Sequence, residues 1–83
     1  MAYQLRLKPS AEKELNKLPQ KDYCRALAAF SVIANDPYAG KKLEGKRAGQ
    51  YSMRIWPYRI IYSIYKKELL IIVISIGHRQ GIY

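Results

Sequence analysis

The sequence predicts an α+β domain: a two-helix hairpin packed on a small antiparallel sheet, in the order β-α-α-β-β-β. Three observations lead there. Tyr3–Leu7 alternates apolar and polar residues, Ala11–Leu18 and Tyr23–Ala34 repeat apolar residues at helical spacing, and Tyr51–Ile76 holds two alternating runs and one wholly apolar run parted by turns. At 83 residues the chain is read as a single domain, 1–83, with a modest core.

The elements follow in order. Tyr3, Leu5 and Leu7 share one face of a half-buried strand, with Gln4 and Arg6 on the other. Pro9 and Ser10 break it, and Ser10 is expected to cap the next helix, with Glu12 and Glu14 near its positive end. Ala11, Leu15 and Leu18 make that helix's apolar stripe. Pro19 ends it and opens a second helix, in which Tyr23, Leu27, Phe30 and Ala34 step by helical spacing beside Ile33. Asn35-Asp36-Pro37 stops this helix. Cys24 lies within it, and two readings stand: a small, partly buried thiol or a reactive one.

Tyr38–Gln50 reads as a Gly- and Lys-rich loop anchored by Leu43. In Tyr51–Ile55, Ser52 and Arg54 face away from Tyr51, Met53 and Ile55. After a Trp56-Pro57 turn, Tyr58–Tyr65 sets Arg59, Ile61, Ser63 and Tyr65 opposite Tyr58, Ile60, Tyr62 and Ile64. Leu69–Ile76 is apolar on both faces, as a strand flanked on both sides should be, and Gly77 ends it before the tail His78–Tyr83. The last three strands are expected to form an antiparallel meander. The helices should cover one face, leaving Arg54 and Arg59 on the other.

Charge gives the first functional clue. Lys and Arg total 15 against 6 Asp and Glu, a net charge of +9, and residues 41–83 carry most of the excess. Such a balance favours polyanionic partners; a merely solubilising surface is the other reading. The lone cysteine excludes an internal disulfide, and Met1–Ser10 lacks the apolar core of a signal peptide, so a cytoplasmic location is expected. The longest apolar run, Leu69–Ile76, is too short for a membrane-spanning helix, which needs about 20 residues.

No HExxH or CxxC spacing and no phosphate loop is present, so neither metal nor cofactor is expected. What remains is Arg54, Arg59, His78, Arg79 and Tyr83. These types suit phosphodiester cleavage without a metal, with the RNA's own 2′-hydroxyl as nucleophile. Guanidinium groups stabilise the charge that develops on the phosphorane, and His or Tyr moves the protons. Equally, Arg54 and Arg59 are readable as solvated residues on an open sheet face, His78 as the end of a strand and Tyr83 as an ordinary terminal aromatic.

The same residues carry a resemblance. Lys42–Lys46 (KLEGK), Tyr51–Tyr62 (YSMRIWPYRIIY), Ile76–Tyr83 (IGHRQGIY), the opening Tyr3–Leu15 and the pair Leu18-Pro19 are together similar to the RelE/ParE superfamily of bacterial and archaeal toxins. The His78-Arg79 pair and the terminal Ile82-Tyr83 resemble the RelE branch more than the gyrase-directed ParE branch. The RelE resemblance implies an endoribonuclease that cuts messenger RNA in the ribosomal A site without a metal. It also implies an inhibiting antitoxin, expected here to be acidic, and a toxin–antitoxin hetero-oligomer. By that resemblance Arg59 and Arg79 stabilise the phosphorane, Arg54 orients phosphate, and His78 and Tyr83 are the candidates for proton transfer. Lys41, Lys42, Lys46, Arg47, Ser52 and Trp56 are the expected RNA contacts.

The chain departs from the family in two ways that matter. Ser52 stands where some RelE toxins place a lysine, leaving Lys46 or Arg47 to supply that phosphate contact. Trp56-Pro57 replaces the common Gly-Asp turn, and the indole either covers the sheet edge or stacks on a substrate base. Two other functions stay open: a ParE-like inhibitor of DNA gyrase, and an inactive module that only binds its antitoxin.

Overall fold

The computed structural model describes residues 2–78, with the backbone alone at His78. Strand β1 (Gln4–Leu7) is followed by helices α1 (Pro9–Asn16) and α2 (Gln20–Asn35). Then come β2 (Lys41–Lys42), β3 (Gln50–Ile55), β4 (Tyr58–Tyr65) and β5 (Leu70–His78). The five strands form one sheet in the order β1-β5-β4-β3-β2. The β3-β4-β5 meander is antiparallel, as expected, but β1 pairs parallel with β5, so the sheet is mixed. The two helices between β1 and the meander form the crossover that a parallel pair requires. A further strand, β2, lies inside the segment expected to be loop, and its Lys41 and Lys42 pair with Ser52 and Tyr51. Gly45 and Gly49 follow it with φ of 69° and 91°, the left-handed conformation that glycine adopts at least cost.

The core lies between the hairpin and one sheet face. Ala11 and Leu15 of α1, Ala26, Ala29, Phe30 and Ile33 of α2, Ile60 and Tyr62 of β4, and Ile71, Val73 and Ile76 of β5 are all buried there. Burial of this kind is worth about 25 cal/mol per Å² of apolar surface. On α2 the small Ala26 and Ala29 face the sheet, and Leu27, expected in the core, is 45% exposed. Cys24 is exposed too, which excludes the buried-thiol reading. Ser10 lies inside α1 and makes no cap: the helix begins at Pro9, whose missing N–H is no loss at a first position.

A bulge interrupts the β4–β5 ladder. Ile61 pairs with Ser75 but Tyr62 with Val73, so Ile74 is the extra residue. Without it strict alternation would turn Ile76 away from the core; with it, Ile71, Val73 and Ile76 all point inward. Strand β1 pairs with β5 only as far as Val73. Beyond that point the Ile76 N–H donates to Glu14 Oε1 of α1 at 2.9 Å, which satisfies a donor that no β1 residue pairs.

Leu43 is buried, as expected of the loop's anchor. The Tyr62 hydroxyl donates to the Pro37 carbonyl at 2.7 Å and ties the segment after α2 to β4. Gly40 sits against it so closely that a Cβ there would meet that hydroxyl, and the Ser52 carbonyl oxygen at 2.8 Å. Among the described residues no helix is long and apolar enough to cross a membrane.

Candidate nucleic-acid interface

Arg54 lies one residue before the end of β3 and Arg59 is the second residue of β4, and their Cα atoms are register partners. Directly opposed residues of an antiparallel pair hold their Cβ atoms about 4.5–5.5 Å apart. Two like charges so placed repel each other. On the other side of Arg59 its partner is Gly77, which offers no side chain to crowd the guanidinium stem. Arg54 is exposed and Arg59 is half-buried.

A shallow groove of about 320 Å³ runs beside this pair, lined by Ala39, Gly40, Lys41, Ser52, Met53, Arg54 and Arg59. A second, of about 390 Å³, is lined by Lys41, Lys42, Leu43, Glu44 and Arg59. Lys41 and Arg59 border both. Each lining holds three cations, and Glu44 is the one acid in either. Polyanions are drawn to such a surface.

The structure thus gathers Arg54, Arg59, Lys41 and Lys42 in one place. Ser52 lines the first groove at 5% exposure, with little surface left for a ligand. Lys46 and Arg47 line neither groove. Lys46 is exposed in the turn Gly45–Arg47, and Arg47 Nη1 donates to Gln50 Oε1 at 3.2 Å. Trp56 heads the β3–β4 turn at 58% exposure. His78 pairs with Tyr58 through the backbone. Its side chain, with Arg79 and Tyr83, lies outside the described residues.

One residue the sequence did not single out belongs here. Arg25 of α2 donates through Nη1 to the Trp56 carbonyl at 2.8 Å and pairs with Asp22 at 3.2 Å. The contact fixes the arginine hairpin to the helical layer. Asp22 and Arg25 stand at i, i+3 spacing, a signal for their own pairing; nothing in the sequence announces a partner 31 residues away.

A helical hairpin on one face of a five-stranded sheet, with a cross-strand arginine pair in a basic groove on the other, defines a small basic α+β domain with a surface suited to a polyanion. Residues 5–83 match the ParE toxins of type II toxin–antitoxin (ParDE) systems, and the chain belongs to this family, within the RelE/ParE superfamily. It is 31% identical over 85 residues to Toxin RelG of Mycobacterium tuberculosis, an alignment covering 100% of this chain and 98% of that protein. Its fold is similar to the toxin–antitoxin complex RelBE2 of the same organism, with TM-score 0.87, 28% identity and coverage of 95% and 93% of the two chains. It is also similar to the archaeal RelE–RelB complex of Pyrococcus horikoshii OT3, with TM-score 0.83, 28% identity and 100% of both chains covered. The chain is a toxin of a type II toxin–antitoxin pair.

Proposed function

We propose that the chain is a ribosome-dependent endonuclease that cuts messenger RNA without a metal. The observation that carries this is the cross-strand pair Arg54–Arg59 bordering a basic groove. In the proposed reaction the 2′-oxygen of the substrate attacks the adjacent phosphorus and the bond to the 5′-oxygen breaks. The products are a 2′,3′-cyclic phosphate and a free 5′-hydroxyl. One proton leaves the 2′-oxygen and one reaches the 5′-oxygen; His78 and Tyr83 are the groups proposed to carry them. Arg59 and Arg79 hold the charge that builds on the phosphorane, and Arg54 orients the phosphate. The ribosome supplies the in-line geometry that so sparsely equipped a site does not supply itself.

The partner is an acidic antitoxin, in keeping with the toxin–antitoxin complexes among the structural neighbours and with the net charge of +9. Both act in the cytoplasm. A substrate with a 2′-deoxy nucleotide at the cut site tests the chemistry. Cleavage on programmed ribosomes should vanish at that position, and a cut there at the normal rate would rule the mechanism out.

A second reading, inhibition of DNA gyrase, is favoured by one observation: the family matched over residues 5–83 is that of the ParE toxins. Double-strand DNA breaks with intact messenger RNA would support it.

A further inference from the structure

Trp56 is the most exposed large hydrophobic residue described, at 58%. Tryptophan is highly buried on average, so an indole this exposed calls for a reason. A loose turn is not the reason here. The turn is two residues long, Pro57 fixes its own φ, and the Trp56 carbonyl is bound to Arg25 of α2 at 2.8 Å. The exposed indole is thus carried on a backbone held from the helical side.

Its place in the hairpin gives the exposure a use. Trp56 stands two residues after Arg54, and the strand rise puts their Cα atoms about 6–7 Å apart. Arg54 and its partner Arg59 border the groove that suits phosphates. A nucleotide whose phosphate lies between these arginines brings its base within reach of the turn. Every base has an apolar π-face, and a rigid indole is a platform for it.

We infer that Trp56 is a stacking platform for a base of the single-stranded nucleic acid whose phosphates Arg54 and Arg59 hold; this rests on the nucleic-acid reading of the groove. Arginines alone read phosphate and carry no base information. An aromatic platform beside them gives the toxin a preference for strands whose bases are free to stack, purines above all.

Trp56 is the one tryptophan of the chain, so its emission reports on itself. The full chain, Trp56→Ala and Trp56→Phe are titrated at low salt with an oligoadenylate RNA and with an abasic ribose-phosphate oligomer of equal length. Affinity is read by anisotropy, and for the parent also tryptophan emission, excited where tyrosine does not absorb. Stacking predicts that RNA quenches the emission and the abasic oligomer binds without quenching it. Trp56→Ala should weaken RNA binding by about 5- to 100-fold while leaving the abasic oligomer unaffected, and Trp56→Phe should stay within a few-fold of the parent. Equal RNA affinity of the parent and Trp56→Ala, without quenching, overturns the platform and leaves the nucleic-acid reading standing. Failure of the parent to bind either oligomer overturns both.

Discussion

The Glu14 carboxylate of α1 accepts a hydrogen bond from the Ile76 N–H of β5 at 2.9 Å, across 62 residues of sequence. It binds the last, bulged part of β5, which leads to His78, to the helical layer. Glu14→Ala leaves that N–H without its acceptor in a partly buried place and is expected to cost about 1–2 kcal/mol. In a domain this small that lowers the melting temperature by about 5–15 °C. Glu14→Gln keeps an acceptor oxygen and should recover most of the loss. Equal melting temperatures for the parent and the Ala variant would show the bond to be idle.

Arg25 offers a parallel test at the other end of the sheet. Arg25→Ala removes the donor to the Trp56 carbonyl and should cost about 1 kcal/mol. Asp22→Asn removes only the partly exposed ion pair and should cost about 0–0.5 kcal/mol. Denaturant melts of both variants separate the two contributions; the first loss should be the larger, and equal losses would show the bond to the Trp56 carbonyl to be idle.

Gly40 and Tyr62 form one tight contact. Gly40→Ala drives a methyl group into the Tyr62 hydroxyl and the Ser52 carbonyl, and should destabilise by about 1–3 kcal/mol. Tyr62→Phe loses the bond to Pro37 at about 1–2 kcal/mol. Combined, they should cost less than their sum, because Phe removes the hydroxyl, the nearest atom that the new methyl group meets. Strict additivity would deny the contact.

Burial holds the Tyr62 phenol above its ordinary pKa, helped by Tyr51 and Asp36 and opposed by a hydrogen bond with the Gly40 backbone. A raised pKa means that the folded state keeps its proton where the unfolded chain has lost it. Tyr62 therefore contributes full stability below about pH 10 and loses it as pH rises further. The stability gap between the parent and Tyr62→Phe should be constant to about pH 9 and shrink above pH 10. A gap that widens with pH would contradict the sign.

Arg59 and Arg79, proposed above to stabilise the phosphorane, carry the functional predictions. Arg59→Ala should slow single-turnover cleavage by about 10²–10³ while weakening ribosome binding less. A loss confined to binding would make Arg59 a positioning residue. Arg79→Ala should abolish toxicity with the fold intact, as judged by an unchanged melting temperature.

The hairpin and the meander were legible because alternation and helical spacing fix which faces are apolar: Ala11, Leu15, Phe30, Ile33, Ile60 and Tyr62 all entered the core as read. Alternation fixes faces and not partners, so nothing in Gln4–Leu7 revealed that β1 lies parallel to β5. The Ile74 bulge was hidden for a related reason, since Leu70–Ile76 is apolar at every position but Ser75 and shows no break in pattern. On α2, Leu27 was the more hydrophobic choice, but the small Ala26 and Ala29 face the sheet. The Arg54–Arg59 pair was legible because a two-residue turn sets its register. Arg25 was not, because its bond to Trp56 exists only after the helical layer has docked.

The most direct measurement adds the purified chain to ribosomes programmed with a defined messenger RNA and, separately, to DNA gyrase with supercoiled plasmid, each beside Arg59→Ala. Primer-extension stops inside the reading frame are expected, dependent on the ribosome and absent with Arg59→Ala, with gyrase unaffected. Intact messenger RNA together with gyrase-dependent double-strand breaks would contradict the proposed function.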